Sequence, residues 1–140
     1  LMYYVNREQI AVRLDSIVEV AAALDMLAAN WQGTLLEGLA QERALHLAVE
    51  TVTDVGSFLI DGFILRDASS YEDIIEISGE AGAFPADMQS TLIELVKLRK
   101  PLVQEYYVWE RAELHPLSRT LSTILPIYKQ AVEEYLEREL

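Results

Sequence analysis

The chain contains no cysteine. Disulfides and thiolate metal sites are therefore excluded, and the reducing cytoplasm is the expected compartment. Glycine and proline are scarce, six and four in 140 residues, which leaves few places to turn. That scarcity favours a handful of long helices over many short strands. No stretch approaches the roughly 18 uncharged apolar residues that a membrane span needs; the richest, Val18 to Ala29, is broken by Glu19 and Asp25. The opening Leu1-Met2-Tyr3-Tyr4-Val5-Asn6-Arg7-Glu8 has no basic region followed by an apolar run, so no secretory leader is expected in it. Cations are few as well. Eleven Lys and Arg stand against 23 Asp and Glu, a net charge of −12. Such an excess repels phosphate backbones over a Debye length of roughly 8 Å, which excludes general coating of nucleic acid. A local phosphate site is not excluded, because Lys97, Arg99 and Lys100 fall within four positions and Arg111 follows not far behind.

Half of the residues, 51%, are hydrophobic and 24% are charged, as in a packed globular protein and unlike a disordered one. No internal repeat, low-complexity tract or linker-like shift in composition appears, so residues 1–140 are read as one domain. Asn6 and Gln9 form a capping-box-like pair that should open the first helix. Its apolar residues Ile10, Leu14, Ile17, Ala21, Leu24 and Ala28 step by four and three, which keeps one face against a neighbour. Asn30 and Gly33 should end it. A second helix is expected from Leu35 to about Leu65, with stripes at Leu45, Ala48, Val52, Val55, Leu59 and at Val49, Gly56, Ile60, Phe63. A helix apolar on so much of its circumference belongs at the centre of a bundle. Its polar remainder is narrow: His46, Glu50, Asp54, Ser57 and Asp61.

Arg66–Ser70 reads as a loop, and Ser70 with Asp73 as the box that opens a short helix closing near Gly79 or Gly82. Pro85 suits the first turn of the next helix. Pro101 removes one helical hydrogen bond and crowds the carbonyl of Lys97, so a kink is expected there. A last helix should run from about Glu113 to Glu139, broken at Pro126. The sum is an all-α, four- to five-helix, mostly up-and-down bundle.

The stretch Leu98-Arg99-Lys100-Pro101-Leu102-Val103-Gln104-Glu105-Tyr106-Tyr107 resembles the signature of the HEPN superfamily, in its HepT-like branch. There an Arg and a polar residue are followed by a few apolar residues and then His-x-Tyr. The order of the long second helix, the loop Arg66–Asp73, the motif segment and the acidic last helix follows the family too, so nearly the whole chain takes part. The resemblance implies a homodimer whose motif segments meet at a cleft, and a metal-independent endoribonuclease without cofactor. In it a ribose 2′-OH attacks the adjacent phosphate and leaves a cyclic phosphate end. It also implies a toxin silenced by a nucleotidyltransferase antitoxin that adds AMP to the motif Tyr. Carried over, Arg99 and Gln104 are the candidate catalytic residues and Tyr106 the modification site, with Lys100 at the polar position; Lys97 and Lys100 of the cation cluster are the candidate phosphate-binding residues. The chain departs from the pattern at Gln104, which stands where the family has His. A Gln amide donates and accepts hydrogen bonds but has no proton to exchange near neutral pH, and losing acid–base help costs typically about 10²- to 10⁴-fold in rate.

On a straight helix Tyr106 returns to the face of Arg99 two turns on, whereas Gln104 lies about 140° round. Arg99 and Tyr106 are then the pair expected to share a cleft. Other readings stay open. Arg99 and Lys100 can be a solvated helix face, and Tyr106 and Tyr107 core-edge aromatics. The stripe from His46 to Asp61 is expected to line the dimer cleft or face water. No metal site is expected on it, because neither His46 nor His115 has the carboxylate three residues earlier that di-iron bundles use. The alternative function is a catalytically inactive dimeric helical module that binds RNA, nucleotide or a protein partner; a third is a purely structural scaffold. Nothing in the spacing assigns His46 or His115 to the role of the missing motif His.

Overall fold

A computed structural model describes residues 3–140; Leu1 and Met2, part of the opening segment examined for a leader, lie outside the described residues. The elements are α1 (Arg7–Ala29), α2 (Leu35–Gly62), α3 (Tyr71–Glu80), α4 (Gln89–Lys97), α5 (Arg99–Val103) and α6 (Pro116–Glu139), with 3₁₀ turns at Ala86–Met88 and Tyr106–Val108. No strand occurs among the described residues. No described helix is long and apolar enough to cross a membrane.

The bundle follows from its stripes. All six stripe residues of α1 are buried, and α1 packs between α2 and α6. Asn6 caps α1 by accepting from the Gln9 N–H at 3.2 Å. Thr34 caps α2 in a full capping box with Glu37, which the sequence reading did not name. Both stripes of α2 are buried, and its two buried threonines return their hydroxyls to helix carbonyls, Thr51 to Leu47 and Thr53 to Val49, at 2.8 Å each. Each Leu or Ile side chain so buried contributes about 1.5–3 kcal/mol. Gly56 lets α3 approach closely: a Cβ there would collide with the side chain of Ile74.

Four expectations are corrected in detail. Helix α2 stops at Gly62, short of Leu65, because Ile64 adopts a left-handed φ of 54° and the Leu65 N–H turns back to the Ile60 carbonyl at 3.0 Å. Pro85 precedes a 3₁₀ turn as its cap and is not inside the first turn of the next helix. Helix α6 begins at Pro116, behind a His115 cap, and not near Glu113. It also runs unbroken through Pro126. Pro126 is exposed, so the Ser122 carbonyl it orphans lies on the solvent side, while Leu121, Leu125, Tyr128 and Val132 hold the other face in the core.

One buried polar side chain ties the ends of the bundle together. Gln41, fully buried, donates to the Glu113 carbonyl at 3.0 Å and accepts from the His115 N–H at 2.8 Å and the Ser118 hydroxyl at 2.7 Å. Replacing it with Leu strands those groups, each worth about 1–3 kcal/mol when left unpaired. Gln41→Leu is therefore expected to destabilise the fold by about 3 kcal/mol or more in urea unfolding. Next to it the His115 ring caps α6, its Nδ1 accepting from the Leu117 N–H at 3.0 Å. Burial lowers its pKa from 6.5, with Glu94 opposing. A folded pKa below the unfolded one means full stability above about pH 6.5, lost as pH falls through the lower folded value. His115→Asn, which keeps a capping acceptor, should remove that part of the pH dependence of unfolding.

Candidate functional site

Pro101 decides the local shape of the motif. Its ring and missing N–H end α4 at Lys97 and set α5 off as a separate turn and a half, with Leu102 buried as the anchor. The Gln104 and Glu105 N–H groups both return to the Lys100 carbonyl, at 2.8 and 3.2 Å, and the chain leaves the helix before Tyr106. The straight-helix expectation therefore fails. Arg99, Gln104, Lys97 and Lys100 line one cleft of about 170 Å³ together with Tyr71 and Glu72 at the start of α3. Tyr106 does not line it. It sits 56% exposed in the following 3₁₀ turn, edge-on to Tyr107 with ring centroids 5.7 Å apart.

Arg99 is held from two sides. Its guanidinium carbon lies 4.3 Å from the ring centre of Tyr71, a cation–π contact, and its Nε is 3.6 Å from Glu50 Oε1 on α2. That oxygen also lies 3.4 Å from His46 Nε2 and is buried with no hydrogen bond of its own. The polar stripe of α2 is thus divided between neighbours: Glu50 faces α5, and Asp54 accepts from Arg13 of α1 at 2.9 Å. No group of three or more His, Asp or Glu side chains able to hold a metal occurs among the described residues.

Two further anchors position the walls. Tyr71 is set by the Ser70 cap of α3, whose hydroxyl accepts from the Asp73 N–H at 3.0 Å. Asp73 in turn receives both Arg66 terminal nitrogens at 2.9 and 3.0 Å and the Ser69 N–H at 2.9 Å. The Arg66 hydrogen bonds foremost, then the Ser69 N–H, hold its carboxyl far below the usual carboxylate range. On the other side, the Arg111 guanidinium pairs with Glu42 of α2 at 2.6 Å and donates to the Tyr106 carbonyl at 3.2 Å. Gly38 makes room for this loop, since a Cβ there would run into the Arg111 backbone. Sequence reasoning did not assign Tyr71 and Glu72 to the site, and it named Glu50 only as one of the polar stripe of α2. The only available signal was Glu50 lying on the polar line of an otherwise apolar helix.

The family model described as "Ribonuclease HepT-like" matches residues 13–135. The chain is 35% identical over 139 residues to the Bacillus subtilis (strain 168) protein described as "Putative RNase YutE", covering 99% of this chain and 95% of that protein. It also superposes, with a TM-score of 0.90 and 34% identity, on a solved structure described as a cytosolic protein of unknown function, YutE from Bacillus subtilis. That match covers 99% of this chain and 96% of the other.

The Arg66–Asp73 pair has a pH signature. A folded pKa below the unfolded 3.8 gives stability that is present above about pH 4 and lost as the solution is acidified further. Asp73→Asn should lower the melting temperature at neutral pH and flatten the acid limb of a melting-temperature profile. The same variant should loosen Tyr71 at the wall of the cleft.

Proposed function

The chain belongs to the HepT-like ribonuclease family, and we propose that it is a metal-independent endoribonuclease acting at the Arg99 cleft, as a homodimer in the cytoplasm. The observation that supports this reading best is the convergence of Arg99, Lys97, Lys100 and Gln104 on one cleft in a chain that matches the family along nearly its whole length. Lys97 and Lys100 draw in the RNA backbone, and their charge makes the encounter salt-dependent. Arg99 holds the phosphoryl oxygens as the 2′-oxygen bonds to phosphorus and the 5′-oxygen departs, leaving a 2′,3′-cyclic phosphate. Gln104, with a donor and an acceptor on one amide, orients the phosphate or the ribose. A cleft of about 170 Å³ is small beside the 300–1,000 Å³ of ordinary ligand pockets, which suits half of a site completed by the second copy. Residues 1–140 act as one domain in this reading.

The regulatory half of the proposal concerns Tyr106. Its ring is exposed and stands outside the cleft, within reach of a modifying enzyme. We assign it as the acceptor of AMP from a nucleotidyltransferase antitoxin, with the ribonuclease as the toxin of the pair. One observation favours a second reading, an inactive dimeric module that binds RNA, nucleotide or a protein: Gln104 stands in the position of the family His, and Arg99 is already faced by the Glu50 carboxylate.

Cleavage of a broad single-stranded RNA pool without added metal separates the two. The active reading expects cyclic-phosphate ends that fall by at least about 10²-fold in Arg99→Ala, the usual loss for one group that stabilises transition-state charge. RNA bound but uncut establishes the second reading. Co-expression with a nucleotidyltransferase should add one adenylyl group by intact mass, and Tyr106→Phe should abolish that addition.

A further inference from the structure

Ribose attack on phosphate needs a proton taken from the 2′-OH and one delivered to the departing 5′-oxygen, and Gln104 can do neither. Imidazole is the side chain whose charge changes near neutral pH. The chain has two histidines. His115 is committed to capping α6 and stacks on the Trp109 ring; neither histidine is among the side chains that line the cleft. His46 lies elsewhere. It sits one turn before Glu50 on the polar line of α2, half-buried, with Nε2 3.4 Å from Glu50 Oε1. The same oxygen is 3.6 Å from Arg99 Nε. One carboxylate oxygen therefore stands between the imidazole and the guanidinium, and it is buried without a hydrogen bond.

We infer that His46 is the proton-transferring residue of this chain's site, with Glu50 as its positioning carboxylate and single-stranded RNA as the substrate class. This rests on the ribonuclease reading above. The charged groups around the imidazole are Arg43 and Glu50 of its own helix, with Arg43 Nη1 3.3 Å from Nδ1, and Arg99 of α5 beyond the carboxylate. A phosphate arriving at Arg99 takes the place of Glu50 there and leaves that carboxylate to orient the His46 ring. The step balances with one proton. As the 2′-oxygen forms its bond to phosphorus, its proton passes to His46; the bond from phosphorus to the 5′-oxygen breaks, its electron pair leaves on that oxygen, and His46 returns the proton there. No water or co-reactant is consumed.

The test measures kcat/KM against pH on single-stranded RNA for the full chain, with product ends identified. His46→Gln keeps a good helix former at a half-exposed position and is expected to fold as the wild type does. It should lower the rate by about 10²-fold and flatten the acidic limb of the profile. Adding Gln104→His to that variant should restore both, by putting an imidazole back at the family position. Glu50→Gln should lower kcat in the wild type but not further in the His46→Gln background, a dependence that a merely structural role would not produce. A His46→Gln variant with wild-type rate and pH profile, in an enzyme still abolished by Arg99→Ala, overturns the role of His46 alone. A wild type that cleaves nothing overturns both this assignment and the ribonuclease reading.

Discussion

Every other helix of the molecule packs against α2, and the burial of that one helix on nearly all sides is the constraint from which the rest follows. A helix surrounded by neighbours must be apolar around most of its girth. Whatever polar residues it keeps must find partners or lie where a cleft opens. Glu42, Glu50 and Asp54 obey this rule by meeting Arg111, Arg99 and Arg13 from three different elements. Gln41 obeys it by satisfying the backbone that leads into α6. The small residues of α2 serve the same end, because Gly38 and Gly56 admit neighbours that a methyl group would push away. Core and site are thus two sides of one helix, and a change meant for either is felt by both.

The second constraint is Pro101. A helix carried straight through the motif would keep Arg99 and Tyr106 together and turn Gln104 away. The proline reverses this: α4 stops, α5 begins, and the chain unwinds after Val103. Gln104 then shares a cleft with Arg99, while Tyr106 is presented outward in a turn fastened by Arg111. One residue lacking an N–H separates the cleft-lining Arg99 and Gln104 from the exposed Tyr106.

What the sequence made legible was whatever repeats locally. The stripes of α1 and α2 could be read because the helical period is short and every turn repeats the evidence. The caps at Asn6 and Ser70 could be read because a hydroxyl or amide three residues before its N–H partner is a local event. Contacts made across the chain left no such trace. Gln41 reaches 72 to 77 residues ahead, and nothing near it announces a buried clamp. Pro126 reads as a break, yet a proline on the solvent side of a long helix loses little, and only the tertiary placement of Leu121 and Leu125 shows which side that is. At the site the residue types came from the family signature, whereas their grouping depended on Pro101 and on Glu50, which enters from another helix.

The charge distribution ties these points together. In a chain of net charge −12, most anions near a cation are the protein's own. Arg13, Arg66, Arg111 and Lys129 are each held by a carboxylate at 2.6–3.1 Å, which spends their charge on the fold. Arg99 meets Glu50 only at 3.6 Å, and Lys97 and Lys100 enter no ion pair among the described residues. Lys97, Arg99 and Lys100 are thereby gathered at the motif cleft with one carboxylate, Glu72, on its wall, in a chain whose net charge repels phosphate in general. If the cleft takes a phosphodiester, as proposed above, two lysines outside any ion pair among the described residues and an arginine held loosely by Glu50 meet it there, while the acidic surface discourages it elsewhere. Selectivity for one short segment of a polyanion then comes from the background charge as much as from the site.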